Sequence, residues 1–369
     1  EVAELASAQQ GPDGHLHLQR ASAVQPTTLD GGLQAAVTTY LAKTALPYGA
    51  VVMIDPQSGK VLAMAETRDS QDPVGAIGHL TQPTVPAASV IKVVTAAALL
   101  ESGIPPEHKA CFHGGLHGLD ASHLRERPGD RRCETLTEAL ARSSNAAIAR
   151  FALRDLAPGK LKEVAEAFGF NRTLPGDVAA LPSRFDDSGT PLDRAKAAAG
   201  FSGSSLSPLH AAWLAAVVAS DGKLGKLTAL DAPLVAGQVP NWRPAISERT
   251  AATLRQMMVQ TTEAGTGRHA FAARAKVLRG VHVGGKTGSL SAPEGELFRH
   301  VTWFVGFAPA EKPRVAIAAL AINGWKWKVK APVLARDTLA LWMERADRET
   351  AAAASALEIA GLDDSAASL

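Results

Sequence analysis

"VPAASVIKVVTAAALLESG", residues Val85 to Gly103, decides how this chain is read. The stretch has a proline near its start, continues as an Ala-rich helical run and meets a natural helix stop at Gly103. Ser89 stands three residues before Lys92, so on a helix the hydroxyl and the amine sit about 60° apart and share a face. Serine is a poor nucleophile at neutral pH and needs a base beside it. A lysine can be that base if desolvation or a neighbouring cation lowers its pKa. The helix start adds free backbone N–H groups that can hold a developing oxyanion.

Alone, the pair says little, because a serine near a helix start is most often a cap. The same spacing recurs at Ser220-Asp-Gly-Lys223, in a glycine-containing turn after a helix, where no helical face aligns the two groups. Two downstream elements change the weighing. Ser143-x-Asn145 in "ARSSNAAIARF" is the only Ser-x-Asn in the chain. Its hydroxyl can pass a proton to a leaving amine and its amide can hold a substrate amide, while the plainer reading has Ser143 or Ser144 capping the next helix. "GGKTGS", Gly284 to Ser289, combines the charge of Lys286 with the hydroxyls of Thr287 and Ser289. Gly288 lets another backbone approach the strand. Such a strand edge can dock an extended peptide and bind its carboxylate; the plainer reading is a hairpin strand with a polar edge.

Composition excludes several classes. The 369 residues are 46% hydrophobic and 20% charged, an ordinary globular balance with material for about two lobes. A net charge of +2 and the absence of a Lys/Arg stripe give nucleic-acid binding no support. No apolar run reaches about 18 residues, and "LHAAWLAAVV" (Leu209 to Val218) reads as a buried helix. The first residue is Glu1, from which we expect that any signal peptide or anchor has been removed.

Along the chain, "LDGGLQAAVTTYLAK" has helical spacing and "GAVVMIDPQSGKVLAMAE" reads as a hairpin. Thr135 to Ser220 is helix-rich, with a capping box at Thr135–Glu138. "VHVGGKTGS", "HVTWFVGFAP" and "RVAIAALAI" are strand-like, and "VLARDTLALWMER" closes with a helix. The expected fold class is therefore α+β: an antiparallel sheet of about five strands, flanked by helices, with an all-helical lobe inserted between its halves and the active site between the lobes. The expected divisions are an extension at 1–25, a main domain at 26–345 and an Ala-rich tail, helix or loose, at 346–369.

Taken together and in this order, "SVIK", "SSN" and "KTGS" resemble the motifs of the penicillin-recognising serine acyl-transferases, whose members include penicillin-binding transpeptidases. The resemblance extends to the opening helix, the first hairpin, "GFSGSSLSPLHAAWLAAVVASDGKL", "MMVQTTEAGTGRHAF" and "WFVGFAP", covering about Thr28 to Arg345. It implies that Ser89 is the acylated nucleophile, Lys92 its base and Ser143 the proton relay. Asn145 would position the substrate, and Lys286, Thr287, Gly288 and Ser289 would bind its carboxylate end. The N–H groups of Ser89 and Ser289 would form the oxyanion hole. Two departures are small: "PAAS" where the family often has Pro-Gly before the variable residue and Ser, and Ser289 where it often has Thr.

No Glu-x-x-Leu-Asn pattern of class A β-lactamases lies between the second and third motifs, and the long span from Ser89 to Lys286 suits class B transpeptidases. No glycosyltransferase-like segment precedes the fold in this sequence, so a class A bifunctional protein is not expected unless the chain was truncated. The resemblance implies a D,D-transpeptidase acting on D-Ala-D-Ala stem peptides, trapped by β-lactams, extracytoplasmic, without cofactor or metal, with cell-wall synthesis proteins as candidate partners. The alternatives are a D,D-carboxypeptidase, a serine β-lactamase, or a homologue that is acylated without turnover. "CFHGGLHGLDASHLRERPGDRRC" holds Cys111, Cys133, His113 and His117. Zinc binding, two free thiols and a disulfide are all open from the residues; the extracytoplasmic location implied by the resemblance favours the disulfide.

Overall fold

The runs "YGAVVMI" and "VAIAALAIN" are apolar at almost every position, the pattern of strands covered on both faces. The structure, a computed structural model, describes residues 9–11, 14–20, 23–71, 79–115, 118–223, 225–231, 244–272, 278–294 and 297–366. Three strands, β1 (Gln9–Gln10), β2 (His15–Arg20) and β3 (Ala23–Asp30), pair antiparallel and lead into helix α1 (Gly31–Lys43). Asp30 caps α1 by accepting from Leu33 N at 2.9 Å. The hairpin β4 (Tyr48–Ile54) and β5 (Val61–Arg68) follows, then a 3₁₀ turn, Ala88–Val90, that runs into α2 (Ile91–Glu101). Gly103, at φ 83°, ends this helix.

The inserted lobe holds α3 (Leu136–Ala141), α4 (Asn145–Asp155), α5 (Lys160–Ala167), α6 (Pro191–Ala199), α7 (Pro208–Ala219), α8 (Glu248–Glu263) and α9 (Arg268–Ala272). It is not purely helical: β6 (Lys109–Phe112) pairs with β7 (Arg132–Thr135), and β8 (Arg184–Phe185) with β9 (Ser204–Ser205). These strands of two to four residues are too short for a period-2 pattern to register. The capping box at Thr135 and Glu138 forms and opens α3. The chain then returns to the sheet as β10 (Gly284–Glu294), β11 (Leu297–Ala308) and β12 (Val315–Asn323), and ends in α10 (Ala331–Ala366).

The main sheet has the order β10-β11-β12-β4-β5, antiparallel throughout. Alternation sorts its side chains: Ala50, Val52, Ala318 and Leu320 pack into the core shared with α7, while Val51, Met53, Ile317 and Ala319 pack with α1 and α10. Every residue of α7 is buried, as befits a helix between the sheet and the lobe. Neither expected division falls in a loop. Strand β3 crosses residue 26 and is tied to the main domain by Thr28 Oγ1, which donates to Val61 O at 2.8 Å. Helix α10 crosses residue 345 unbroken, consistent with the high helix propensity of its Ala-rich end. Among the described residues, no helix is long and apolar enough to cross a membrane.

Candidate active site

Ser89 lies in the 3₁₀ turn at the mouth of α2, and that turn is gripped from both sides. Trp303 Nε1, on β11, donates to Pro86 O at 3.0 Å, and Leu206 N donates to Val85 O at 2.9 Å. Gly200 presses so closely that a Cβ there would sit 2.1 Å from Ala88 O. Ala88 is thereby held at φ 47°, a left-handed conformation that costs a residue with a Cβ about 1–2 kcal/mol. The strain sits directly before Ser89, which is half-buried.

One turn on, Lys92 is completely buried. Its Nζ lies 2.6 Å from Ser89 Oγ, 2.7 Å from Asn145 Oδ1 and 3.2 Å from Ser143 Oγ. Burial, and then the neighbouring charge of Lys286, push its pKa well below the usual lysine range. A neutral amine carries a lone pair, so at this distance it can take the Ser89 proton.

The second element reaches the same point from the junction of α3 and α4. Ser143 stands at φ 59° and Ser144 occupies the N-cap position of α4 without a side-chain cap bond, so capping does not account for the pair. Asn145, the first residue of α4, donates from Nδ2 to Gly115 O at 3.2 Å while its Oδ1 meets Lys92.

The third comes from the edge strand β10. Lys286 is fully buried and donates to Ser143 Oγ at 3.0 Å and Thr287 O at 2.7 Å. Burial pushes its pKa down to about 7. A Cβ on Gly288 would lie 3.3 Å from Val90 Cγ2 and 3.2 Å from Trp303 Cβ, so glycine lets β10 lie close against the turn that carries Ser89. Thr287 is buried beside the cluster, and Ser289 is exposed two residues along the same strand.

Ser89, Lys92, Ser143, Asn145 and Lys286 thus form one hydrogen-bonded centre, with Thr287, Gly288 and Ser289 along its edge. Sequence reasoning did not single out Thr266, whose hydroxyl lies 2.5 Å from Thr287 Oγ1 and whose N donates to Ala141 O at 3.1 Å. The flanking glycines of "AGTGR" were its available signal: a Cβ on Gly265 would sit 2.2 Å from Ala141 O, so the loop is wedged against the end of α3. Gly115 and Gly200 carried no signal of their own, since their contacts are long-range.

Cys111 and Cys133 face each other across β6 and β7 and are joined in a disulfide. Neither is then a thiolate, which removes two ligands from the zinc reading. His113 Nδ1 instead lies 2.7 Å from Asp130 Oδ1, and His117 lies outside the described residues. Among the described residues, no group of three or more His, Cys, Asp or Glu side chains could hold a metal ion.

A serine held against a buried lysine, with a second serine–asparagine pair and an edge-strand lysine converging on it, is an arrangement able to carry out serine acyl transfer. The chain belongs to the penicillin binding protein transpeptidase domain family, which it matches over residues 49–336. It is 29% identical over 320 residues to the peptidoglycan D,D-transpeptidase PbpA of Mycolicibacterium smegmatis, an alignment covering 75% of this chain and 62% of the relative. The chain therefore spans about three fifths of that relative's length. Its fold is similar to the D,D-transpeptidase domain of a peptidoglycan glycosyltransferase from Eggerthella lenta, with TM-score 0.70 and 23% identity, covering 93% of this chain and 91% of that one. It is likewise similar to the imipenem acyl-enzyme complex of penicillin-binding protein A from M. tuberculosis, with TM-score 0.66 and 23% identity, covering 86% and 79%.

Proposed function

We propose that this chain is a serine D,D-transpeptidase that cross-links peptidoglycan stem peptides and is acylated by β-lactams. The observation that carries the reading is the fully buried Lys92 amine 2.6 Å from Ser89 Oγ. Ser89 attacks the carbonyl of the terminal D-Ala–D-Ala bond while Lys92 takes its proton. Ser143, in contact with both lysines, relays a proton to the departing D-Ala amine as the C–N bond breaks. The N–H groups of Ser89 and Ser289 hold the oxyanion. Lys286, Thr287 and Ser289 bind the terminal carboxylate, whose negative charge favours the protonated form of Lys286. An amine from a second stem peptide then attacks the ester and restores Ser89. A β-lactam follows the acylation half, but its leaving group stays tethered.

The names of the relatives support this reading, as does the acyl-enzyme described for the M. tuberculosis protein. The substrate lies outside the cytoplasm, so the chain works there, alongside other cell-wall synthesis proteins. Incubation with a pentapeptide ending in D-Ala-D-Ala and an amine acceptor, followed by mass analysis, tests the proposal. The expected product is the new amide with loss of D-Ala. Tetrapeptide alone would make the enzyme a carboxypeptidase, and an unchanged donor would contradict the reading.

A further inference from the structure

Arg150 is 3% exposed, and none of the site motifs accounts for it. It lies on α4 one and a half turns beyond Asn145, and its guanidinium is spent inside the segment closed by the Cys111–Cys133 disulfide. It donates to the carbonyls of Cys111, His123 and Arg125 and to Asp130 Oδ2 at 2.6 Å. Burial raises the Asp130 carboxyl, but the bond from Arg150, with those from Arg127 N and His113, outweighs it and holds the pKa at about 2. A planar five-donor fork can reach four fixed acceptors spread across a loop, one more than the three donors of a lysine ammonium can serve.

The same segment reaches the active centre. Gly115, at φ 73°, lies so close to the first turn of α4 that a Cβ on it would be 2.6 Å from Ala146 Cβ. Its carbonyl accepts from Asn145 Nδ2. With Oδ1 on Lys92 and one N–H on Gly115 O, the Asn145 amide has its plane and its O/N orientation set by two neighbours on different elements. We propose that Arg150 is a positioning residue: it locks the 111–133 loop onto α4 so that the Gly115 carbonyl orients the Asn145 amide toward the substrate's amide. This rests on the reading of Asn145 as the substrate-amide holder.

The test compares acylation of the full chain by benzylpenicillin, which carries a side-chain amide, and by 6-aminopenicillanic acid, which has the same ring and carboxylate but an amine instead. In Arg150→Lys, the ratio of second-order acylation rates should fall about tenfold toward the Asn145→Ala value, the size of one lost hydrogen bond of about 1.4 kcal/mol. With Asn145 already replaced, Arg150→Lys should lower the ratio no further, because the two act through one contact. Gly115→Ala, which moves the carbonyl without touching the guanidinium, should give the same signature and serves if Arg150→Lys does not fold. Equal slowing of both compounds, or an undiminished effect in the Asn145→Ala background, would overturn the proposal. A wild-type ratio in Asn145→Ala would overturn the reading of Asn145, and the proposal with it.

Discussion

Two serine–lysine pairs in this chain have identical spacing and opposite environments. Ser89 and Lys92 share the face of a helix start, with the amine fully buried and 2.6 Å from the hydroxyl. Ser220 and Lys223 flank a turn in which Asp221 and Gly222 take φ 55° and 78°. There the lysine side chain is 56% exposed and pairs with Glu248, and Ser220 Oγ turns back to Val217 O. Spacing is the same; helical alignment and desolvation are not. Desolvation lowers the pKa of the Lys92 amine and so gives it access to a lone pair, a property that the spacing alone does not supply.

Several measurements can break or sharpen this contrast. The largest effect is expected at the proposed nucleophile: Ser89→Ala should lower penicillin acylation by at least about 10³-fold, and Ser220→Ala should match wild type in the same stopped assay. Next comes the proposed base, where Lys92→Met should slow acylation by about 10²–10⁴-fold and Lys223→Met should not, read by single-turnover kinetics.

The third concerns stability. Lys286 falls from its ordinary 10.5 to about 7 on folding. Between those values the unfolded chain keeps a proton the folded chain has released, so this group makes stability rise with pH across that window. Lys286→Met should flatten the rise in denaturant titrations and stabilise the fold near pH 7 by about 1–4 kcal/mol while impairing acylation. An unchanged slope would mean that Lys286 is not desolvated as described. The smallest effect is expected at Thr266, where Thr266→Val should slow acylation by a carboxylate-bearing penicillin about threefold and Thr266→Ser should restore it.

How much of this was legible beforehand follows the range of the interactions involved. The five main strands and the helix within Val85 to Gly103 were readable because apolar runs, turn residues and stop signals are local. The two motifs that rescue Ser89 from a capping role were readable as residue types, and the buried centre they build follows from the order of the sheet. The four-residue strands of the disulfide loop were not, since "KACF" and "RCET" are too short to show alternation. Thr266, Gly115 and Arg150 were missed for another reason. Each has its contacts far along the chain, Thr266 with Thr287 and Ala141, Gly115 with Asn145, Arg150 with Asp130, and no sequence period reports such contacts.

On the proposed mechanism, burial of Lys92 makes Ser89, and no other serine, the acylated residue. Peptide mapping of the protein after reaction with benzylpenicillin tests this most directly. The account predicts a single penicilloyl adduct on the peptide containing Ser89, absent from Ser89→Ala. An adduct on another residue, or no adduct on the folded protein, would contradict it.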